Sequence, residues 1–466
     1  FTRLVMLKDK IISAIESGNQ RKGFLEEIKK EIITTPKSIV ILDDDPTGTQ
    51  TVYNVPVVTS WKSSVLESEI INSPVFFILT NSRSLQIEEA NDLAESLGSE
   101  LNKLSKKYNK QLIVLSRGDS TLRGHYPNEV DALAKGLGNK NAKHILAPAF
   151  FEGGRFTYDD VHYVKEKDSF IPANDTPFAK DNTFGYENAN LKDWIIEKYQ
   201  GKIEKKAIES LSLDFLRTQS TEGIIKKIEA PNKSHIVVNA TSYFDLEAVA
   251  LAILKSKEPF LLRTSASFVN AITGIAAKEC LSKKEILTNQ KTGGSLIVIG
   301  SYVPKTTTQL EVLKQHSDAV FLELDVSNVK NDVLFKSDII ELSKKVNQHL
   351  KQNKDVVFHT SRTIIKGDTK AESLAIVNKV SNGVISIIKN LNTRPKYIVA
   401  KGGITSSDIA TKGLNVQRAH VPGQALKGVP VWKLGNETKF PGMPYIIFPG
   451  NVGDNDALYQ LTKLLK

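Results

Sequence analysis

Strand-length apolar runs alternate with helix-length segments along almost the whole 466-residue chain. Parallel strands need crossover helices between them, so this alternation favours mostly parallel sheets flanked by helices. We therefore expect an α/β fold. The predicted strands are 38–43, 55–59, 74–80, 111–116, 144–148, 234–239, 259–263, 295–300, 318–324, 355–359, 397–401 and 444–448. The predicted helices are 5–32, 86–107, 126–137, 191–199, 219–229, 244–256, 305–315, 331–352, 369–389 and 454–465.

Chain length and one change of pattern predict two domains. A chain of this length is too long for a single ordinary core. Charged and glycine-containing residues at 276–294 precede a new strand, which indicates a boundary there. We expect domains at 1–278 and 292–466, with the active site in the cleft between them. Segment 150–190 lacks clean periodicity and is expected to be irregular, as a functional segment or a flap usually is.

Composition excludes several classes of protein. The formal charge of +10 comes with lysines scattered over helix-like segments rather than joined to an aromatic stripe, so nucleic acid is not an expected partner. A single cysteine, Cys280, excludes a disulfide framework and a Cys-rich metal site. No apolar stretch has membrane-spanning length, and the first residues show no signal-peptide pattern. We expect a cytoplasmic enzyme without a membrane partner, and leave a homo-oligomer open.

The first polar cluster, Asp43 to Gly48, directly follows a predicted strand. In open α/β sheets, ligands bind beyond the carboxyl ends of the strands. Neighbouring carboxylates repel one another unless a cation or metal relieves them, so these residues are candidates for binding Mg²⁺ or for removing a proton from a hydroxyl. The alternative is a solvated, Asp-rich turn.

A second cluster, at 117–125, follows another predicted strand and reads Arg-Gly-Asp-Ser-Thr-Leu-Arg-Gly-His. An arginine fork pairs with a carboxylate or phosphate, and neighbouring hydroxyls fix the orientation of the ligand. The alternative is a helix cap beside a surface arginine. A third cluster contains Arg155 and His162, although a single histidine is more often structural.

Three glycine-containing turns follow strands in the second half, at 300–301, 402–405 and 449–454. Turns that present backbone N–H groups at the start of a helix can hold phosphates. The chain has no G-x-x-x-x-G-K-[ST] sequence, which excludes a P-loop. Three such turns in one domain indicate a nucleotide site.

These motifs, in this order, resemble the four-carbon acid sugar kinases, a family that includes 3-oxo-tetronate, threonate and erythronate kinases. The family's Asp-Asp-x-Thr-Gly is similar to 44–48, its Asp-Ser-Thr-Leu-Arg-Gly to 119–124, and its Gly-Arg and His-Tyr-Val to 154–155 and 162–164. In the second half, Gly-Ser is similar to 300–301, Gly-Gly-Glu-Thr-Ser to 402–406 and Gly-Val-Pro to 428–430.

The resemblance implies an N-terminal domain that binds an acid sugar and a C-terminal domain that binds ATP. It implies an ATP- and Mg²⁺-dependent kinase acting on the terminal hydroxyl of a four-carbon acid sugar. The expected catalytic residues are Asp44, Asp45 and Asp119. The expected substrate-binding residues are Thr47, Gly48, Arg117, Ser120, Thr121, Arg123, Arg155 and His162. The expected nucleotide-binding residues are Ser301, Gly402, Gly403, Ile404, Thr405 and Gly450.

Within this set, Arg123 is expected nearest the substrate's carboxylate, and either Asp44 or Asp45 is expected to be the general base. No metal ligand is assigned. The sequence departs from the family pattern twice: Ile404 replaces a glutamate, and Phe448-Pro449-Gly450 stands where Lys-Ser-Gly is usual.

Two alternatives remain open from the sequence. Asp43-x-Asp45-x-Thr47 satisfies the D-x-D-x-T nucleophile pattern of haloacid-dehalogenase-type phosphatases, although that class does not explain residues 117–125. The other alternative is a non-catalytic sensor that binds a sugar acid or a nucleotide without turnover.

Overall fold

The structure is a computed structural model that describes residues 2–276, 278–288, 293–363 and 365–466. The helices are α1 (Thr2–Asn19), α2 (Leu25–Thr34), α3 (Ser63–Asn72), α4 (Ile87–Tyr108), α5 (Asn128–Gly136), α6 (Leu191–Lys198), α7 (Leu213–Thr218), α8 (Thr221–Ile228), α9 (Tyr243–Lys255), α10 (Ala266–Thr273), α11 (Lys283–Ile286), α12 (Pro304–His316), α13 (Asp332–Lys351), α14 (Lys370–Lys389), α15 (Gly403–Asp408) and α16 (Ala457–Leu465).

The strands are β1 (Lys37–Asp43), β2 (Val55–Val58), β3 (Val75–Leu79), β4 (Gln111–Arg117), β5 (Lys143–Ala147), β6 (Arg155–Tyr158), β7 (Val161–Glu166), β8 (Ser169–Pro172), β9 (Ile208–Leu211), β10 (His235–Val238), β11 (Phe260–Thr264), β12 (Leu296–Ile299), β13 (Val320–Leu324), β14 (Val356–Thr360), β15 (Ile398–Lys401), β16 (Arg418–Leu426), β17 (Val429–Leu434) and β18 (Pro444–Phe448).

The chain divides into two compact units. Unit 1 contains Phe1–Gly48 and Trp61–Ala277, and unit 2 contains Thr49–Ser60 and Lys278–Lys466. The predicted boundary segment 276–294 includes residues 277 and 289–292, which lie outside the described residues. Both units combine helices with a mostly parallel sheet, as the alternation of strands and helices predicted.

Unit 1 is built on a parallel sheet with the strand order β3-β1-β4-β11-β5-β10-β9. Its central strands are apolar along their whole length; Ile39, Val40 and Ile41 of β1 are at most 1% exposed. Such continuous apolar runs are typical of strands covered by helices on both faces. A core cluster that includes Trp194 and Tyr126, with ring centroids 4.8 Å apart, fills one side of the sheet.

Unit 2 has the strand order β13-β14-β12-β15-β18-β17-β16-β2. The first five strands are parallel, and the last three pair antiparallel. The core of this unit packs α16 and α12 residues such as Leu461 and Leu310 against Val399 and Ile446 of the sheet. Because β12, β15 and β18 are parallel neighbours, their carboxyl ends lie at one edge.

Residues 49–60 do not belong with the N-terminal unit, to which the prediction assigned them. Strand β2 pairs antiparallel with β16, from Val55 with Val421 to Val58 with Arg418. The Trp432 indole also donates a hydrogen bond to the Thr49 hydroxyl, 3.2 Å away. These long-range pairings place the segment in unit 2 despite its position in the sequence.

The prediction that segment 150–190 is irregular was wrong. Strands β6, β7 and β8 form a three-stranded antiparallel sheet within this segment. Its aromatic residues make a small core of their own, in which Phe156, Tyr163 and Phe170 pack against Ile11 of α1. The short turns between the strands are Asp159-Asp160 and Lys167-Asp168, so the sequence lacks the Asn-Gly or Asp-Gly pair that usually marks a hairpin.

The other differences from the prediction are local. The single helix expected at 5–32 is two helices, α1 and α2, separated by a turn that contains Gly23. Helices α3, α7 and α10 and strands β9, β16 and β17 were not predicted. Strand β16 alternates exposed and buried positions, so its period-two pattern is a signal that sequence reasoning missed.

Among the described residues, no helix combines the length and the apolar character needed to cross a membrane.

A buried histidine pair in unit 1 makes stability depend on pH. His144 and His235 are register partners on β5 and β10, with ring centroids 4.8 Å apart. Burial lowers the pKa of His235 to about 4; burial and the neighbouring His235 lower that of His144 to about 3. Both are neutral when folded. Their stabilising contribution is therefore present above pH 6.5 and is lost as the pH falls, because the unfolded chain takes up the protons first.

We expect His235→Phe to flatten this dependence. For His235 alone, the free energy of unfolding should fall by about 2 kcal/mol between pH 6.5 and 4.5 in the wild type, since one depressed pKa costs roughly 1.4 kcal/mol per pH unit. Urea unfolding at a series of pH values measures how the free energy of unfolding depends on pH. The matched control is His316→Asn, at an exposed histidine. Equal pH slopes for the wild type and His235→Phe would contradict this account.

Candidate functional site

The carboxyl ends of four neighbouring strands of unit 1 carry the polar residues of the first site. Strands β3, β1, β4 and β11 are adjacent and parallel. We use the name Asp–Arg cluster for the charged side chains that converge there: Asp43, Asp44, Asp45, Arg83, Arg117, Asp119, Arg123 and Arg263. Opposite charges alternate within it, because buried carboxylates remain ionised only when cations compensate for lost hydration.

Arg83 lies at the centre of the cluster and holds two of its carboxylates. Its Nη2 and Nε donate to Asp44 Oδ1 and Oδ2 at 2.5 and 3.2 Å, and its Nη1 lies 3.4 Å from Asp45 Oδ2. This fork geometry is the strongest form of ion pair between side chains. Burial alone would raise the pKa of Asp45, but Arg83 and the hydrogen bonds from Thr47 lower it overall. Asp45 is therefore ionised at neutral pH.

Asp43 is the least accessible carboxylate of the cluster. It is 1% exposed, pairs with Arg117 Nη1 at 3.3 Å, and lies against Gly48, where an added Cβ would come within 1.7 Å of its Oδ2. Burial, only partly offset by Arg117, raises its pKa to about 7. Gly48 and Arg117 therefore enclose Asp43, and they do not themselves present a surface to a ligand.

Asp119 begins the loop that carries the second motif. Its Oδ2 accepts a hydrogen bond from Arg123 Nε at 2.8 Å and another from the Thr121 hydroxyl. Burial opposes ionisation, but Arg83 and Arg123 lower the pKa of Asp119 well below its usual range. Leu122 in this loop is buried and has a φ of 69°, which costs a non-glycine residue on the order of 1–2 kcal/mol. Such strain is concentrated at functional sites.

Sequence reasoning missed Arg263. The position of its side chain explains why the motif has glycine at both 118 and 124. Its guanidinium donates to Ser116 Oγ at 3.0 Å and to the Arg123 carbonyl at 3.1 Å. An added Cβ at Gly118 or Gly124 would come within 2.2 or 2.7 Å of that guanidinium. The loop can wrap around Arg263 only because these two positions lack side chains.

His162 is buried behind the loop that carries the second motif and does not reach the surface of the site. It is 0% exposed; its Nε2 donates to the Ser120 carbonyl at 2.8 Å, and its Nδ1 accepts from the Thr157 hydroxyl at 3.0 Å. Burial lowers its pKa to about 4, so the ring is neutral. The expectation that His162 contacts a substrate does not fit this environment. It fixes the position of Ser120 instead.

Arg155 and Arg123 flank the ring of Phe178. Their guanidinium carbons lie 5.8 and 5.2 Å from the ring centroid. Arg123 is already paired with Asp119 and lies 3.5 Å from Asp181. Arg155 has no ion pair among the residues that the structure describes, and its one hydrogen bond there runs from Nη1 to the Gly153 carbonyl.

The turns after β12, β15 and β18 lie side by side in unit 2, as the sequence analysis expected for a nucleotide site. Gly402 has a φ of 120°, and an added Cβ there would lie 3.0 Å from Ser301 Cβ. Gly403 begins α15, and an added Cβ there meets nothing within 4 Å. A side chain at 403 therefore leaves the turn unstrained and extends into open space. Gly450 lies beside Ser301, whose Oγ is 3.1 Å from an ideal Cβ at 450.

A pocket of about 360 Å³ opens beside this edge of the sheet. Its floor is formed by residues of these turns, including Ser301, Gly402, Gly403, Ile404 and Thr405. Its walls are mainly aliphatic: Val326, Ile365, Ile376, Val377, Val380, Val384, Ile385 and Ile409. Ser381 and Asp408, joined by a 2.9 Å hydrogen bond, add polar groups. An apolar pocket next to exposed backbone N–H groups suits a nucleoside with phosphates.

Lys401 and Arg362 donate hydrogen bonds to carbonyl groups of these turns. Lys401 is 0% exposed and donates to the Pro449 and Gly450 carbonyls at 2.7 and 3.2 Å. Burial, with a smaller contribution from Lys305, lowers the pKa of Lys401 to about 7. Arg362, at the end of β14, donates to the Ser301 carbonyl at 2.7 Å. Sequence reasoning missed both residues.

The missed residues had a signal in the sequence. Arg83 and Arg362 each follow a predicted strand, and Arg263 and Lys401 are charged residues inside apolar ones. Applying the strand-end rule to every predicted strand would have found them. The aliphatic walls of the pocket had no such signal, because most of them come from α14, where apolar spacing is also expected of a helix packed on a core.

The described residues contain no group of three or more His, Cys, Asp or Glu side chains suited to a metal ion. Asp44 is occupied by Arg83, as the ion pairs above show. A magnesium ion brought with nucleotide phosphates needs only one or two protein carboxylates, so Mg²⁺ stays a prediction.

Two family models match the chain. A sugar-binding N-terminal domain matches residues 39–272, and a nucleotide-binding C-terminal domain matches residues 296–458. A D-erythronate kinase from Heliobacterium modesticaldum is 25% identical over 465 residues, which cover 92% of this chain and 98% of that protein.

Solved structures share the fold. A Haemophilus influenzae protein of the DUF1537 family has a TM-score of 0.63 at 18% identity, over 92% of this chain and 100% of that chain. A Salmonella typhimurium LT2 protein, described as a proposed tRNA synthase, has a TM-score of 0.67 at 14% identity, over 93% of this chain and 100% of that chain.

The sugar-binding and nucleotide-binding models together span most of the chain, in the order of the two groups of motifs. The protein therefore belongs to the four-carbon acid sugar kinase family.

Proposed function

We propose that this protein transfers the γ-phosphoryl group of ATP to the terminal hydroxyl of a four-carbon sugar acid of the erythronate, threonate or 3-oxo-tetronate type. The observation that carries the proposal is the similarity to a D-erythronate kinase over 92% of the chain. The Asp–Arg cluster and the pocket of unit 2 support it, since one suits a polar anion and the other a nucleotide.

On the sugar side, we assign the general base to Asp45. Its side chain is 25% exposed, whereas that of Asp44 is 3% exposed and is held by both nitrogens of the Arg83 fork. An ionised, accessible carboxylate can accept the hydroxyl proton as the oxygen attacks phosphorus. Asp44 and Asp119 then serve the reaction by fixing Arg83 and Arg123.

On the nucleotide side, the aliphatic walls of the pocket receive the base, and the backbone N–H groups at 403–405 face the phosphates. The Gly402 N–H donates to the Phe448 carbonyl at 2.9 Å. The first N–H groups of a helix have no partner within that helix, so α15 offers them to an anion together with Ser301 and Gly450. These are backbone interactions, which explains why Ile404 and Pro449 are compatible with nucleotide binding.

The reaction forms a bond between the sugar oxygen and the γ-phosphorus and breaks the bond to the β-phosphate oxygen, releasing ADP. Such transfers depend mostly on positioning and on neutralisation of phosphoryl charge. Bound Mg²⁺ would supply part of that neutralisation, and Arg83, which is paired with Asp45, is a cation on the sugar side. A cleft between the domains, a homo-oligomer and a cytoplasmic location stay predictions.

The phosphatase alternative loses support from the position of Asp43. A phosphatase of that type needs its first aspartate exposed for attack on phosphorus. Asp43 is 1% exposed and paired with Arg117. The sensor alternative differs from the kinase in turnover alone, and the first experiment below separates the two.

We expect ATP consumption only in the presence of a sugar acid. A coupled assay for ADP over four- to six-carbon sugar acids, with Mg²⁺, measures it, and the matching neutral polyols are the control. Binding of ATP and of an acid without turnover of any acid would favour the sensor. Release of phosphate from phosphoesters without ATP would favour the phosphatase.

We expect Asp45→Asn to lower kcat by on the order of 10²–10⁴-fold with a small effect on KM for ATP, because a positioned base contributes about that much. Steady-state kinetics measures both constants. Asp44→Asn is the comparison: it weakens the Arg83 fork and should raise KM for the acid as well as lower kcat. Wild-type turnover in both variants would remove the aspartates from the mechanism.

We expect Gly403→Val to weaken ATP binding by at least about tenfold while leaving sugar-acid affinity unchanged, since 1.4 kcal/mol of lost contact has this effect. The added side chain enters open space beside the pocket, so the fold is preserved. Calorimetry with each ligand measures the two affinities, and Gly403→Ala should give a smaller loss. Unchanged ATP affinity in folded Gly403→Val protein would move the nucleotide site elsewhere.

A further inference from the structure

The arginines around the Asp–Arg cluster differ in how fully the protein satisfies them. Arg83 pairs with Asp44 and Asp45, and Arg123 pairs with Asp119 and lies near Asp181. Arg263 donates to a hydroxyl and a carbonyl and lies 3.9 Å from Asp44. All three are therefore committed to holding the protein together.

Arg155 is the exception. No carboxylate lies within ion-pair distance of it in the described ranges, and its Nε is buried without a hydrogen-bond partner there. Arg117 also has an unpartnered Nε, but that side chain is 6% exposed and is paired with Asp43. An unsatisfied buried donor costs about 1–3 kcal/mol, so such a group in a native protein calls for an explanation.

The free part of the Arg155 guanidinium has the shape that a carboxylate needs. Nη1 is turned to the Gly153 carbonyl, which leaves the edge formed by Nε and Nη2. Two parallel N–H groups on one edge bind both oxygens of a carboxylate at once, and a lysine cannot reproduce this. The ring centroid of Phe178 lies 5.8 Å from the guanidinium carbon, within the range of a cation–π contact.

Electrostatics favour an anion at this position. Burial lowers the pKa of Arg155, with repulsion from Arg123 adding to the effect and Asp119 opposing it. An arginine with a lowered pKa carries a charge that its surroundings compensate incompletely. A substrate carboxylate at Arg155 would supply the missing negative charge. At Arg123, a substrate carboxylate would instead compete with Asp119 for the same donors.

We propose that Arg155, through its Nε–Nη2 edge, binds the substrate's carboxylate and makes the site specific for sugar acids over neutral sugars. This rests on the proposed function and revises the expectation that Arg123 is nearest the carboxylate. Arg123 instead orders Asp119 and, with Phe178, confines the position of Arg155.

The test compares D-erythronate with erythritol, which has a CH₂OH group in place of the carboxylate. In Arg155→Met, we expect the dissociation constant for D-erythronate, measured by calorimetry without ATP, to rise by roughly 10²-fold, as loss of a bidentate charged pair predicts. The dissociation constant for erythritol, measured in the same way, should change less than about threefold. Arg155→Lys should recover little of the loss, because it restores charge without the fork.

Arg21→Met is the matched control. Arg21 belongs to the same unit and stacks on a phenylalanine, Phe244, at 5.2 Å, but it lies in a different surface pocket. It should leave both ligands unaffected, and thermal unfolding should show that each variant is folded.

The outcomes separate this inference from the proposed function. If wild-type protein phosphorylates D-erythronate and Arg155→Met binds it equally well, the role of Arg155 is overturned and the kinase function stands. If affinity for erythritol falls as much as that for D-erythronate, Arg155 is structural and the inference is again overturned. If the wild type binds D-erythronate without turnover and Arg155→Met loses that binding, the anchor is supported and the kinase function fails. If the wild type binds threonate or 3-oxo-tetronate instead of D-erythronate, the same comparison is made with that acid; absence of binding of all three overturns both.

Discussion

The ion pairs of Arg83 are the interaction on which the sugar-binding unit depends. Consecutive aspartates follow β1 into the interior, where burial disfavours the charged form of a carboxylate. Arg83 reaches them from the end of the neighbouring strand β3 and keeps Asp45 ionised. Removing one partner from such a buried pair typically costs about 3–5 kcal/mol, because the other charge is left uncompensated. Asp43, whose ion pair is with Arg117, shows the contrast, because burial raises its pKa to about 7.

The same constraint determines how the surrounding loops fold. A guanidinium is large and rigid, so the chain must approach it closely to satisfy its donors. Gly118 and Gly124 allow that approach around Arg263, and Leu122 adopts a left-handed conformation between them. In the Arg-Gly-Asp-Ser-Thr-Leu-Arg-Gly sequence, the two glycines therefore make room for Arg263, and the polar residues are the candidate ligand contacts. A loop shaped in this way is held rigid before a ligand arrives, which lowers the entropy cost of binding.

The nucleotide-binding unit follows a different strategy. Its turns present backbone N–H groups. Lys401 and Arg362 donate hydrogen bonds to carbonyl groups of those turns. Side chains at the turn are then free to vary. Ile404 is 65% exposed at the mouth of the pocket, so an apolar residue there extends the aliphatic wall and does not disturb the phosphate side. Both departures from the family pattern lie in turns whose backbone groups, in the function that we propose, face the phosphates.

Much of the fold could be predicted because its signals are local. Apolar runs such as 38–43 and 111–116 became β1 and β4 almost residue for residue, and the polar clusters beyond them converge at the ends of these neighbouring strands. The prediction of helices and strands failed where the sequence pattern was weak. Strands β6 to β8 are short and lie in a segment with glycines and asparagines, and the helix expected at 5–32 is interrupted at Gly23. His162 was assigned to a ligand because sequence alone does not reveal that both of its ring nitrogens are occupied.

The sequence by itself determined the α/β class, the strand ends that carry chemistry and the family, since periodicity and short motifs depend on neighbouring residues. Only the tertiary structure decided the partners of the charges. Arg83 and Asp44 are 39 residues apart, and Arg263 and Ser116 are 147 apart, so their pairing depends on the order of strands in the sheet. The placement of β2 beside β16 and the pocket wall from α14 have the same origin. Strand order follows from the packing of the whole core, which no local pattern encodes.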